Sequence, residues 1–260
     1  MGAPFDIGYV FSFLPKLLDT LGVTLLIVAG SLLTGIVAGF LVALPRMYKI
    51  PVLRTLSGVY LSFFRGTPIL IQLFLFYYGL PEILKLVGLD LTRAPVMFFV
   101  ILTYGLHTGA YAAEMIRASV EAVDRGQVEA AYAAGMTPYQ AFSRIILPQA
   151  LGIAVPVFSN LVIALLKDTS LAFTLGVMEM TGKAQTLGTL TQHFIETYIA
   201  LAFIYLIISF TLEKMLLAAE RRLTRHENRE DKRESIFRLK KRGSYRTVLA
   251  DINIGKGGGA

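Results

Sequence analysis

Long stretches without a charged residue constrain the fold of this chain more than any motif does. Thr20 to Pro45, Ala94 to Ala113 and Ile145 to Leu166 each run uncharged, and a helix needs about 20 mostly apolar residues to cross the hydrocarbon core of a bilayer. The third stretch continues past Lys167 and Asp168 into Thr169 to Met178. Two further stretches are less regular. Thr55 to Phe64 and Gly66 to Pro81 are too short singly but join across Arg65 into one span with a bent or interfacial start, and Thr197 to Leu212 gains length by starting about a turn earlier, near Gln192. All are apolar on nearly every side, without the polar and apolar alternation of barrel strands, so they read as helices. The expected fold class is all-α: a polytopic membrane protein with five transmembrane helices near residues 20–45, 57–82, 94–116, 148–178 and 193–214. With 55% hydrophobic residues and 17% charged, against about 25% charged in soluble domains, the composition agrees. The absence of cysteine excludes a disulfide scaffold. Asp6, Lys16 and Asp19 interrupt the N-terminal region, which does not read as a cleavable signal peptide.

Lysine and arginine collect on the cytoplasmic side of membrane proteins. Three basic residues fall between Arg46 and Arg54, three between Arg117 and Arg144, and 13 of the 25 in the chain lie from Lys214 onward. Lys85, Arg93 and Lys183 in the opposite loops are balanced by Glu82, Asp90, Glu179 and Glu196. An odd number of spans with the basic end inside puts the N-terminus outside. The expected division is a transmembrane domain over residues 1–218 and a basic cytoplasmic tail over 219–260. A juxtamembrane position accounts for that charge, and no nucleic-acid partner is expected.

No internal repeat is evident, but Ser31, Gly35, Gly39 and Ala43 recur every fourth residue in the first span. Such a small-residue stripe lets another helix approach closely, within the subunit or across a subunit interface. The loop of residues 118–148 is too long for a passive connector. Gln127 to Ala134 is rich in helix formers, Gly135 is a stop able to take positive φ, and Thr137, Pro138 and Gln140 have the spacing of a capping box opening a second helix that ends before Pro148. Two short helices about a glycine corner make a knob suited to contact with another protein.

Glu129-Ala130-Ala131, then Gly135, Ile145 and Leu147-Pro148, resembles the EAA loop of ABC importer permeases. Seven positions at fixed spacing match by chance on the order of once in 10⁷ starts at ordinary residue frequencies. Arg65-Gly66-Thr67-Pro68 with Gln72, Ala110 to Glu114, Leu147 to Ala150, and Leu165 to Leu171 are similar to the polar amino-acid branch of that family, and Thr169 to Met180 to its permeases for cystine or related sulfur compounds. The resemblance covers residues 12 to 223 and implies the type I ABC importer permease fold. It implies an inner-membrane subunit working with a second permease copy or similar partner, cytoplasmic ABC ATPase subunits and an extracytoplasmic solute-binding protein. It also assigns ATPase coupling to Glu129, Ala130, Ala131, Gly135, Ile145, Leu147 and Pro148.

The chain lacks a GxxxxGK[ST] phosphate loop, and its His107, His193 and His226 are far apart in sequence, so neither catalysis nor a metal or cofactor is expected. Charged and polar groups inside spans are the candidates for a solute path. These are Thr67, Gln72, His107, Glu114, Lys167, Asp168, Thr169 and Ser170. Adjacent helical residues point about 100° apart, so Lys167 and Asp168 are not expected to pair with each other. Glu114 and Glu179 are alternative partners for Lys167, interfacial solvation is an alternative for Arg65 and Glu114, and self-bonding to the backbone is one for the hydroxyls. The competing reading is a secondary transporter or channel for small polar solutes, which calls for paired broken helices or a titratable relay.

Overall fold

The structure is a computed structural model and describes residues 4–223, among which every regular element is helical. In chain order these are α1 (Ile7–Leu18), α2 (Leu21–Met47), α3 (Pro51–Gly66), α4 (Ile69–Phe74), α5 (Leu80–Lys85), α6 (Val96–Glu121), α7 (Arg125–Ala133), α8 (Pro138–Ala141), α9 (Leu147–Asp168), α10 (Met180–Thr191) and α11 (Phe194–Leu223). A π turn at Leu75–Gly79 joins α4 to α5, another at Phe142–Ile146 joins α8 to α9, and a 3₁₀ segment, Thr169–Leu175, extends α9. Four runs are long and apolar enough to cross a membrane: Leu21–Met47, Val96–Glu121, Pro138–Leu175 and Phe194–Arg221. The pair of α3 and Ile69–Lys85, bent by 113°, passes the same test of length and apolarity when its two halves are taken together. From Leu217 onward α11 belongs to a unit separate from the preceding residues. Only the end of α11 is described there, and the basic tail from residue 224 onward lies outside the described residues.

The stripe of small residues is an intramolecular contact. Ser31, Gly35, Gly39 and Ala43 are all buried, and they face Gly105, Thr108, Gly109 and Ala112 of α6. A Cβ placed on Gly109 would come within 2.8 Å of Ala38 Cβ and 3.1 Å of the Gly35 carbonyl. The two backbones are therefore close enough to use dispersion between main chains, the chief attraction left to helices in a lipid solvent. At their cytoplasmic ends, on the orientation expected from the basic residues, Arg46 of α2 bonds Glu114 of α6 at 2.6 Å.

Proline chemistry explains where the second and fourth spans depart from straight helices. Pro68 disfavours helical geometry at the preceding residue, and Thr67 is extended at φ −118°, ψ 145°, which ends α3 and produces the bend. Pro81 and Pro148 are instead absorbed. In both cases the residue before the proline donates to the carbonyl five residues back, Leu80 to Leu75 and Leu147 to Phe142. That wider turn accommodates a ring that would clash with the ordinary i−4 carbonyl. The second loop helix accordingly does not end before Pro148: Pro138–Leu175 is one continuous run of 38 residues.

Two helices of 12 residues, α1 and α10, escape a search for long uncharged stretches. Phe13 and Leu17 of α1 pack against Met180, Ala184, Leu201 and Ile204. The Tyr9 ring stacks on His193 with centroids 3.8 Å apart, and the Asp6 N–H donates to Glu196. Glu179 is buried at the start of α10, where its carboxylate accepts the Thr181 and Gly182 N–H groups at 2.8 Å.

Candidate functional site

A cavity of about 730 Å³ opens between the end of α3, one face of α6 and one face of α9. From α6 it receives His107, Tyr111 and Glu114, residues spaced by four and three and so stacked on one helical face. From α9 it receives Asn160, Ala164 and Asp168, each four residues after the last. Arg65 enters from the last turn of α3, its guanidinium lying 5.6 Å from the centre of the Tyr111 ring, within cation–π range. The remaining wall is mostly apolar, with Met115, Ile153, Val157, Leu161 and Leu165. The cavity thus offers a guanidinium, the Asp168 carboxylate, an imidazole and a carboxamide in an apolar surround, a pattern fitted to a small zwitterion.

Of the eight sequence candidates for the path, His107, Glu114 and Asp168 line this cavity. The Glu114 carboxylate is already engaged by Arg46 and Arg117, and Arg117 also holds Glu121, so Glu114 fastens α2 to α6 while bordering the cavity. Lys167 and Ser170 face elsewhere, into a second pocket of about 370 Å³ with Thr181, Tyr198 and Tyr205. The 100° step between adjacent residues sends Lys167 and Asp168 to different pockets. Thr169 is fully buried and its hydroxyl donates to the Leu166 carbonyl at 2.7 Å, the self-bonding alternative for a membrane hydroxyl. Thr67 donates to Phe63 at 2.7 Å, and Gln72, fully buried, bonds Phe64, Thr67 and His107. Tyr111 and Asn160 were not singled out by sequence. Asn160 was legible in principle, since it and Ser159 are the polar residues between Leu151 and Leu166.

The segment between α6 and α9 folds as a helical knob. Asp124 caps α7 by accepting the Gly126 N–H at 2.7 Å, so α7 begins two residues earlier than the helix formers alone indicate. Gly135 has φ 78° and donates to Tyr132, while Met136 donates to Ala131. These bonds define a Schellman ending, which satisfies the last carbonyls of α7. Thr137 and Gln140 form the reciprocal capping box at the start of α8. Gln149 donates to Gln127 at 2.6 Å and to the Ile145 carbonyl, bracing the knob against α9. Ala131 is buried within the knob, Ile145 is half-buried, and Glu129, Ala130, Gly135, Leu147 and Pro148 are exposed. Tyr132 and Tyr139 are exposed as well, at 50% and 80%.

Helices of this number and apolarity, one broken pair, an apolar-walled cavity bearing a few charged groups and a braced helical knob are the features of a multi-span membrane permease. The chain belongs to the family of binding-protein-dependent transport system inner membrane components, whose pattern it matches over residues 35–225. It is 47% identical over 229 residues to the L-cystine transport system permease protein TcyL of Bacillus subtilis (strain 168), covering 88% of this chain and 96% of that protein. It is 43% identical over 222 residues to the probable amino-acid ABC transporter permease protein PatM of Vibrio harveyi, covering 85% and 97%. Among solved structures it is similar to a chain of an amino acid ABC transporter determined with histidines, with a TM-score of 0.75, 31% identity, and coverage of 85% of this chain and all of that one. The expected all-α permease fold of an ABC importer is therefore observed, in a multi-pass inner-membrane protein.

Proposed function

We propose that this chain is the membrane-spanning subunit of an ATP-driven importer of polar amino acids, with L-cystine as its solute. The observation that carries this reading is the 47% identity to an L-cystine permease over nearly the whole of that protein. The cavity supports it: Arg65 is suited to an α-carboxylate and Asp168 to an α-ammonium, groups that cystine carries in duplicate. Two such subunits, or this one and a similar partner, form the pathway, cytoplasmic ATPase subunits drive it, and an extracytoplasmic binding protein delivers the solute. ATP binding closes the ATPases, the knob of residues 125–148 moves with them through Glu129 and its neighbours, and the spans reopen outward. Uptake of labelled L-cystine by the reconstituted transporter, with other amino acids as competitors, is the test. Saturable ATP-dependent uptake of L-cystine is expected, and its absence in a complex that takes up another amino acid overturns the solute assignment.

Within the cavity, Asp168→Asn is expected to lower uptake at least about tenfold, the loss of one charge-assisted contact. Lys167→Met, in the second pocket, is expected to lower it less, with assembly intact in both. Equal losses, or unchanged uptake in Asp168→Asn, would return Asp168 to a structural role. The division into a transmembrane domain to about residue 218 and a cytoplasmic tail over 219–260 belongs to the same reading, with the N-terminus outside. Reporter fusions after residue 90 should then read outside, and fusions after residues 50, 130 and 230 inside. An inside signal at residue 90 breaks the topology.

A further inference from the structure

Pro68 leaves a defect at the end of α3. The Phe64 carbonyl would ordinarily accept from the N–H four residues on, but that residue is a proline and has none. A buried carbonyl without a donor is costly, and the structure supplies one from a side chain. Gln72 Nε2 donates to the Phe64 carbonyl at 2.9 Å, and shares its second proton between the Thr67 carbonyl at 3.0 Å and the Thr67 hydroxyl at 2.8 Å. The other end of the same amide, Oε1, accepts from His107 Nδ1 at 2.9 Å. Every polar atom of a fully buried glutamine is thus committed to one task, tying the bend of the second span to α6.

That bend bears on the cavity. Arg65 lies between the clamped Phe64 carbonyl and the clamped Thr67, and its guanidinium stands over Tyr111 on the cavity wall. His107, the outer end of the relay, lines the same wall one turn before Tyr111. Its Nδ1 proton is committed to Gln72, so the imidazole supports the amide from the cavity side.

We propose that Gln72 is a positioning residue for the solute path: it replaces the N–H that Pro68 lacks, fixes the bend and thereby holds Arg65 on the cavity wall, with His107 as its support. This rests on the cavity being the path. Positioning of a binding group predicts a change in KM greater than the change in maximal rate. In the complete transporter, with L-cystine as the probe, Gln72→Leu raises KM about tenfold while the maximal rate falls less than about threefold. His107→Leu does the same. His107→Asn, which keeps a donor near the Nδ1 position, brings KM back at least about threefold from the His107→Leu value.

A double-mutant cycle separates the role of Gln72 from that of the cavity. If Gln72 acts through Arg65, adding Gln72→Leu to Arg65→Met produces little further change in KM. An unchanged KM in Arg65→Met alone overturns the cavity reading and the proposal with it. A raised KM in Arg65→Met with fully additive effects of Gln72→Leu, or with no effect of Gln72→Leu by itself, overturns the positioning role alone. Should Gln72→Leu fail to assemble, the His107 pair decides: equal behaviour of the Leu and Asn variants refutes the relay, and rescue by Asn alone supports it.

Discussion

Gly109→Leu is expected to destabilise the membrane domain by forcing α2 and α6 apart. Its first added atom already falls 2.8 Å from Ala38 Cβ, 3.0 Å from the Tyr60 hydroxyl and 3.1 Å from the Gly35 carbonyl. None of these is the free end of a flexible chain: Ala38 and Gly35 are fixed on α2, and Tyr60 donates its hydroxyl proton to Leu106. Relief requires α2 and α6 to separate along the stripe, losing the close main-chain packing that joins them. Overpacking of this kind costs about 3 kcal/mol. By the scaling for domains of this size, that lowers Tm by about 6–12 °C. Thermal unfolding of the purified protein in detergent measures it, with Gly58→Leu as the control. A Cβ on Gly58 meets nothing within 4 Å, and that variant should shift Tm by less than about 3 °C. A Gly109→Leu protein as stable as the parent would show that the α2–α6 contact is looser than described.

Gly135→Val should uncouple transport while leaving the protein inserted and folded. The residue sits at φ 78° with open space around it, so the penalty comes from the backbone rather than from a clash. A branched residue held in that region costs about 1–3 kcal/mol, comparable to the whole stability of a short exposed helix in water. The Schellman bonds from Gly135 and Met136 are the first to go, and with them the angle between α7 and α8. Uptake is expected to fall at least about tenfold, and solute stimulation of ATP hydrolysis to disappear with it. Glu129→Lys should act in the same direction by reversing an exposed charge on α7. Variants that transport and couple like the parent would make this segment a passive connector.

The spans were legible because burial in lipid demands long uncharged helices, and the knob because its stops and caps are local. Gly135 needs only its own φ, and the Thr137–Gln140 box only a spacing of three. What sequence did not reveal depends on partners distant in the chain. A stripe of small residues declares a close contact but not with whom, and α6 is identified only by geometry. Pro148 reads as a helix end unless one knows that a π turn precedes it. Gln72 and Thr67 read as open polar groups, since nothing local shows that the amide is consumed by the carbonyl orphaned at Pro68, by Thr67 and by His107. The helical step predicts that Lys167 and Asp168 diverge; which of them shares a cavity with Arg65 and His107 depends on how α9 is rotated against α6. The helices α1 and α10 went unseen because each is half the length of a span, and α1 also carries Lys16.

Site-directed crosslinking asks whether the exposed face of the knob carries the force of a partner ATPase. The chain has no cysteine, so Tyr132→Cys and Tyr139→Cys each give a single attachment point for a photoreactive maleimide on that face. Tyr78→Cys, exposed at 63% on the bent second span, is the control. In the assembled transporter, adducts with the ATPase subunit are expected from positions 132 and 139 and not from 78, with yields that change on adding ATP. No ATPase adduct from either knob position, in a complex that still takes up solute, would show that the knob is not the ATPase contact.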